Sequence, residues 1–196
     1  MKKIILSITL LCAICSGYSQ SFMHGAGIGF FVGTTSAATG EVAVAGTFTY
    51  SPRFNFIETE ALSVSAGIPL SVGITGSYSY DSYNGEQNTL GVILSAPLIF
   101  NLNMGRGSTK ENTSKFGYFA GAGYGYFHGD FYQLWTDGYS EYLVTRTANV
   151  HGPAANAGVR FGVGRKHRNI EVKLSYMKGI NDAKPNIFGL HGLFNF

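Results

Sequence analysis

From residue 22 onward this chain repeats one pattern: apolar side chains alternate with Gly, Ser, Thr, Ala and Asn, and the small-residue face carries almost no charge. The last ten residues, Ile187 to Phe196, read I-F-G-L-H-G-L-F-N-F, with Phe188, Leu190, Gly192, Phe194 and Phe196 on one face and His191 and Asn195 on the other. A period of two marks a β-strand with two chemically different faces. Ten residues is also about the length of a tilted strand that crosses a bilayer.

Eight alternating segments can be read in order. The first runs from Phe22 to Val32 and the second from Glu41 to Tyr50, with Ser51 to Asn55 expected as the turn after it. The third is long, keeping one parity from Leu62 to Tyr80, and it ends at Asn84-Gly85, a dipeptide suited to a tight hairpin. Segment four returns from Leu90 to Leu102, and the polar stretch Gly105 to Ser114 follows. Segment five starts at Phe116 and continues towards a second hairpin tip at Asp137-Gly138; segment six returns from Tyr139 to Val163. Segment seven covers Ile170 to Met177, and the chain closes with Ile187 to Phe196. Where the third strand begins, around Glu58 and Glu60, is open, because the stretch Phe54 to Glu60 is a candidate bulge.

The composition of the polar face decides which side is out. Its charges, on the face or at its end, are Glu58, Glu60, Arg160, Glu171 and Lys173. A water-facing sheet normally carries many more Lys and Glu, whereas a narrow lumen has room for small residues and a few paired charges. The charged fraction of 13% agrees. The expected architecture is all-β, an eight-stranded antiparallel transmembrane barrel with its apolar face outward and two hairpins protruding.

The amino terminus has the layout of a secretory signal peptide: Met1-Lys2-Lys3, an apolar run from Ile4 to Ile14, then small and polar residues up to Ser19. Residues 1–19 are read as the cleaved signal and residues 20–196 as the barrel domain. Ile14 before Cys15 is too large for a lipoprotein cleavage site, and both cysteines, Cys12 and Cys15, fall within the signal. The mature chain therefore needs neither disulfide nor thiolate ligand. Loss of Lys2 and Lys3 lowers the net charge of +3 by two, which is no footprint for nucleic acid.

The segments Thr89 to Asn103, T-L-G-V-I-L-S-A-P-L-I-F-N-L-N, and Phe116 to Tyr126, F-G-Y-F-A-G-A-G-Y-G-Y, together with the closing strand, resemble the small OmpA/OmpX-like outer-membrane β-barrel family. The resemblance implies a bacterial outer-membrane location with both termini periplasmic. It also implies an assembly signal at Phe194 and Phe196, similar to that recognised by the outer-membrane assembly machinery. That family has structural, adhesive and enzymatic members, so fold alone leaves function open.

Three sets of residues are candidates for function. The two hairpins are longer than a membrane crossing requires, and they carry Tyr78, Tyr80, Tyr83, Phe131, Tyr132, Trp135, Tyr139 and Tyr142. Tyr and Trp bring large contact area at low entropic cost, so these residues suit recognition of an external protein or glycan; packing across the hairpins or on lipid headgroups is the alternative. Glu60, Arg160, Glu171 and Lys173 are expected to form a lumen ion-pair network, or to line a narrow polar channel. His128-Gly129-Asp130 with Ser140 or His151 offers the residue types of an outer-leaflet lipid-modifying enzyme, at no spacing specific for that chemistry. His24 and His191 fall on neighbouring strands at opposite parity, which argues against a metal pair. No cofactor is expected, and the outer-membrane lipid is the one partner that the pattern itself demands.

Overall fold

The computed structural model describes residues 21–35, 43–81, 85–136, 141–164, 168–181 and 184–196; within them, only the backbone is described for 76–81, 85–90, 132–136 and 141–145. The proposed signal peptide, residues 1–19, lies outside the described residues. The strands are β1 (Ser21–Thr34), β2 (Ala43–Glu58), β3 (Leu62–Gly67), β4 (Leu70–Asp81), β5 (Gly85–Ser95), β6 (Leu98–Gly105), β7 (Phe116–Thr136), β8 (Glu141–Gly162), β9 (Asn169–Lys178) and β10 (Asn186–Asn195). Every pairing is antiparallel, and β1 pairs with both β2 and β10, which closes the sheet on itself. β3 and β4 lie end to end against β2, and β5 and β6 lie end to end against β7, so the wall is crossed eight times.

Two interruptions divide the long third and fourth segments, and both are proline effects. Pro69 and Pro97 have no N–H to give to a ladder. The register pairs Gly67 with Ile99 and Ser71 with Ser95, which places Pro69 opposite Pro97. Inside–outside parity survives the break, with Ser65 and Ser71 buried on the same face.

The turn expected at Ser51 to Asn55 is not there. Strand β2 runs through Pro52 to Glu58, and Met23 to Ser21 of β1 pair with Arg53 to Asn55. Proline is tolerated because the ladder continues through its carbonyl, which accepts from the Ile68 amide at 3.2 Å. The register shift between Asn55 and Ile57 is a bulge, and the actual turn is at Thr59, whose amide donates to the Leu62 carbonyl at 2.8 Å. The third strand therefore begins after Glu60. Arg53 moves from a turn into the barrel, and Glu60 moves from the lumen to an exposed turn.

The two faces of the wall separate sharply. Ile28, Leu174 and Ile74 are 71%, 60% and 61% exposed and belong to a belt that includes Phe48, Val72, Val92, Phe100 and Val172. Such a continuous apolar surface is far larger than a water-soluble monomer exposes, and it is what a hydrocarbon environment requires. The inward face holds two layers. Towards the end that carries the β1 start and β10 finish, the lumen is polar: Arg53, Asn55, Ser63, Asn103, Arg160, Asn169, Glu171 and Asn195 are all buried. Towards the hairpin end it is apolar, with Phe31, Ile93, Phe127, Phe131, Val150 and Ile187 forming the buried core.

The polar end is stoppered by the chain itself. The turn after β6 folds inward, burying Arg106, Ser108 and Thr109. Gly105 and Gly107 adopt positive φ, 66° and 72°, which lets the turn reverse tightly enough to enter the lumen. A Cβ on Gly107 would also lie 3.0 Å from both the Arg160 Cδ and the Asn169 Nδ2. Gly107→Val is therefore expected to cost about 1–3 kcal/mol from backbone strain alone. Gly192→Val, facing open space on the wall, is the matched control. Urea unfolding in phospholipid vesicles, followed by gel mobility, measures both.

Candidate functional site

The lumen site is built around one carboxylate. Glu171 Oε2 accepts from Arg160 Nε at 2.7 Å, from Asn195 Nδ2 at 3.2 Å and from Arg53 Nη1 at 3.4 Å. Arg160 also donates from Nη1 to Asn103 Oδ1 at 3.0 Å, and its guanidinium carbon lies 4.2 Å from the Phe119 ring centroid. The stopper completes the arrangement: the Gly107 carbonyl accepts from Arg53 Nη2 at 2.9 Å, and the Ser108 carbonyl accepts from Asn55 Nδ2 at 2.8 Å and Ser63 Oγ at 2.6 Å. Two arginines on one carboxylate, each also donating to the Gly107 carbonyl, crosslink β2, β8, β9 and the turn. Removed from water, such a cluster is held by close geometry and shared hydrogen bonds as well as by charge attraction.

Of the four residues expected in the ion-pair network, Arg160 and Glu171 meet. Glu60 does not, because the bulge and the later turn carry it to the surface. Lys173 is buried on the lumen face but makes no hydrogen bond or ion pair to another described residue. Arg53 takes the place of the second cation. Its odd parity, shared with the inward Thr47 and Thr49, was the available signal, hidden by reading Pro52 as a turn. The inward Gly107 carbonyl could not be anticipated from an alternation pattern, since it belongs to a turn.

The aromatic hairpins are longer than the barrel that supports them. β7 and β8 pair with each other without a break from Phe116 and Phe161 up to Thr136 and Glu141. The pairing of β7 with β5 stops at His128, and that of β8 with β9 stops at Ala154. Pro153, which cannot donate, sits where β8 leaves β9. Asn181 covers the next stretch of the β8 edge through hydrogen bonds with His151 N and Asn149 O. Beyond that, Gly129–Thr136 and Glu141–Ala148 form a two-stranded ribbon with no further strand pairing among the described residues. Eight extended residues amount to roughly 25 Å of chain. At its base the ribbon turns inward: Phe131 is buried against Phe127, with a ring-centroid distance of 5.7 Å, and it packs over Gly33.

Of the candidate recognition residues, Tyr83 and Tyr139 lie outside the described residues. Tyr78, Tyr80, Tyr132, Trp135 and Tyr142 are on described strands, with Trp135 paired to Tyr142 and Tyr80 to Glu86. Phe194 and Phe196 are exposed at the β10 end and stacked, 6.2 Å between centroids, and Phe196 also packs on His24.

The histidines are dispersed. His128 Nδ1 donates to Asn149 Oδ1 at 2.7 Å, and His151 Nδ1 shares a 2.7 Å hydrogen bond with the Tyr124 hydroxyl. Asp130 accepts from Thr147 Oγ1 at 2.6 Å. No described acid therefore orients either imidazole, and Ser140 lies outside the described residues. Tyr126, whose hydroxyl donates to Asn149 at 3.0 Å, forms with Tyr124, His128 and His151 a polar-tipped aromatic band on the outer wall, the chemistry of a membrane interface. His24 faces outward beside Tyr50, and His191 is buried in the lumen.

No protein-family model matches the chain, and no curated protein matches it. Among solved structures it is similar to Neisserial surface protein A, at 13% identity across 90% of this chain and 97% of that one, with a TM-score of 0.54. It is also similar to Ail, the attachment invasion locus protein of Yersinia pestis, at 11% identity across 91% and 99% of the two chains, with a TM-score of 0.50. At these identities the likeness concerns the fold, and it agrees with the closed eight-crossing wall and the apolar belt. The chain has the OmpA/OmpX-like architecture of the small outer-membrane β-barrels.

Proposed function

We propose that this is a bacterial outer-membrane surface protein whose β7–β8 ribbon, with the β4–β5 hairpin beside it, docks an extracellular protein or glycan. The observation that carries the reading is the continuation of the β7–β8 ladder well past its last pairings with β5 and β9. A ribbon with open edges offers strand addition to a partner, and Tyr132, Trp135, Tyr139 and Tyr142 supply the residue types favoured at recognition surfaces. The two similar structures bear the names of a surface protein and an attachment invasion locus protein, in keeping with this role. The lipid-modifying alternative gains nothing from His128 and His151, whose described partners are neutral. The channel alternative is disfavoured by the inward turn at Gly107 and Ser108.

The test is in-cell photo-crosslinking from a reactive aromatic at position 135, with position 124 as the belt control. A discrete protein or glycan adduct from 135 alone is the expected result. Lipid adducts from both positions would mean that the ribbon rests on the membrane, and the docking reading would fail.

In the same reading both termini face the periplasm, and Phe194 and Phe196 form the signal read by the assembly machinery. Their exposure at the strand end supports this. Deleting Phe196 is expected to lower the yield of folded protein in the outer membrane severalfold while leaving unassisted refolding into vesicles near the parent rate. Equal losses in both assays would assign Phe196 to barrel stability instead.

A further inference from the structure

Between the polar and apolar layers of the lumen lies a cavity of about 40 Å³. Its lining joins Lys173, His191, Ser175 and Asn156 to Phe127, Met177 and other apolar side chains. These four polar residues come from three consecutive strands, and Ser71 and Ser95 line the cavity from β4 and β5. Lys173 is the register partner of His191 across β9 and β10, and Ser175 is the partner of Asn156 across β8 and β9. Directly opposed side chains in an antiparallel pair have Cβ atoms about 5 Å apart. A Cβ on Gly189 would lie 2.8 Å from the His191 Cε1 and closer still to Ser175 Oγ, so the imidazole and hydroxyl converge over that glycine.

These groups are unpartnered. Neither ring nitrogen of His191 has a hydrogen-bond partner, nor do Ser175 Oγ and Asn156 Oδ1, among the described residues. Lys173 and His191 are only 4% and 2% exposed. Among the described residues the charge around it does not balance either: the cations Arg53, Arg160 and Lys173 are buried about one carboxylate, Glu171. Glu58 is engaged by Ser21 and Asn55 at the far end, and Asp130 by Thr147 at the mouth. An uncompensated ammonium in a low-dielectric interior is costly, and an anion beside it is the direct remedy.

We infer that this cavity is a binding site for a short-chain monocarboxylate. The carboxylate sits between Lys173 Nζ, the His191 N–H and the Ser175 hydroxyl, all donors of the kind that form strong charge-assisted bonds. The alkyl end lies against Phe127 and Met177. The volume suits an ion of acetate size and excludes a long acyl chain, whose successive methylenes would need the space now filled by Phe31 and Ile187.

The test uses the mature chain folded in phospholipid nanodiscs and sodium acetate as the probe. Millimolar acetate is expected to raise the thermal midpoint saturably and to show saturation transfer from the protein to the acetate methyl. Lys173→Met, which keeps the stem and removes the charge, is expected to weaken the acetate response at least about tenfold. His191→Phe, which keeps a ring in the lumen, is expected to weaken it less and serves if the lysine variant does not fold. The proposal is overturned if acetate has no effect on the parent protein, or if either variant responds as the parent does. An equal response to sodium chloride at the same ionic strength would also overturn it, because any counter-ion would then satisfy the lumen.

Discussion

Glu171→Gln is expected to be among the most destabilising single changes available in this barrel, at about 3–5 kcal/mol, the range found when one partner of a buried ion pair is removed. The side chain keeps its shape, so the effect is electrostatic. Arg160 and Arg53, held at 2.7 and 3.4 Å from the same oxygen, would face one another with no anion between them. Asn195, which shares that acceptor with them, would be left with at most a neutral amide oxygen. The companion experiment replaces Arg53, Glu171 and Arg160 together with Met. It is expected to recover much of the loss, since well-packed apolar residues often substitute for a buried charge cluster at little net cost. Urea unfolding in vesicles, with fraction folded read from heat-modifiable gel mobility, gives both values. A loss below about 1 kcal/mol for Glu171→Gln, the scale of a surface pair, would show that the cluster is solvated.

Ile28→Arg carries the second large expectation. Ile28 is 71% exposed near the middle of β1, between Gly192 and Phe48 on the neighbouring strands. On a water-facing surface such a change is nearly neutral, within about 0.5 kcal/mol. On the lipid face of a barrel an arginine near the midplane costs about 2–4 kcal/mol. Ile28→Phe is the size control. The loss should also depend on the medium: a vesicle of thicker hydrocarbon should penalise the arginine more, because its guanidinium has further to reach the interface. A near-neutral result in vesicles would contradict the assignment of the apolar face to lipid.

Much of the architecture was legible because a barrel strand obeys a local rule. Ile28 and Leu174 point out and Glu171 and Asn195 point in for the same reason: successive side chains alternate, and each face meets one solvent. That rule carries through Pro69 and Pro97 unchanged, which is why the parity of the third and fourth segments could be read correctly while the breaks within them were not. A missing N–H alters a hydrogen bond without altering which way the next side chain points. The same proline logic misled at Pro52, where a strand continues because the pairing at that residue uses its carbonyl.

The contents of the lumen followed a different logic. Glu171 and Arg160 are cross-strand register partners, a relation that alternation and short connections bring within reach. Arg53 reaches Glu171 from across the barrel, 118 positions away in sequence, and no periodicity encodes that distance. Nor does a pattern show that Gly107 and Ser108 would turn inward and spend their carbonyls on Arg53 and Asn55. By itself the sequence determined the strand faces, the eight crossings of the wall and the lipid-facing belt, since these depend on each residue and its nearest neighbours. Only the tertiary structure decided which inward groups meet, that Glu60 leaves the lumen while Arg53 enters it, and that Lys173 and His191 line a cavity without a hydrogen-bond partner among the described residues. Those outcomes depend on closure of the barrel, which brings residues from distant strands into one low-dielectric space where an unpaired charge is costly.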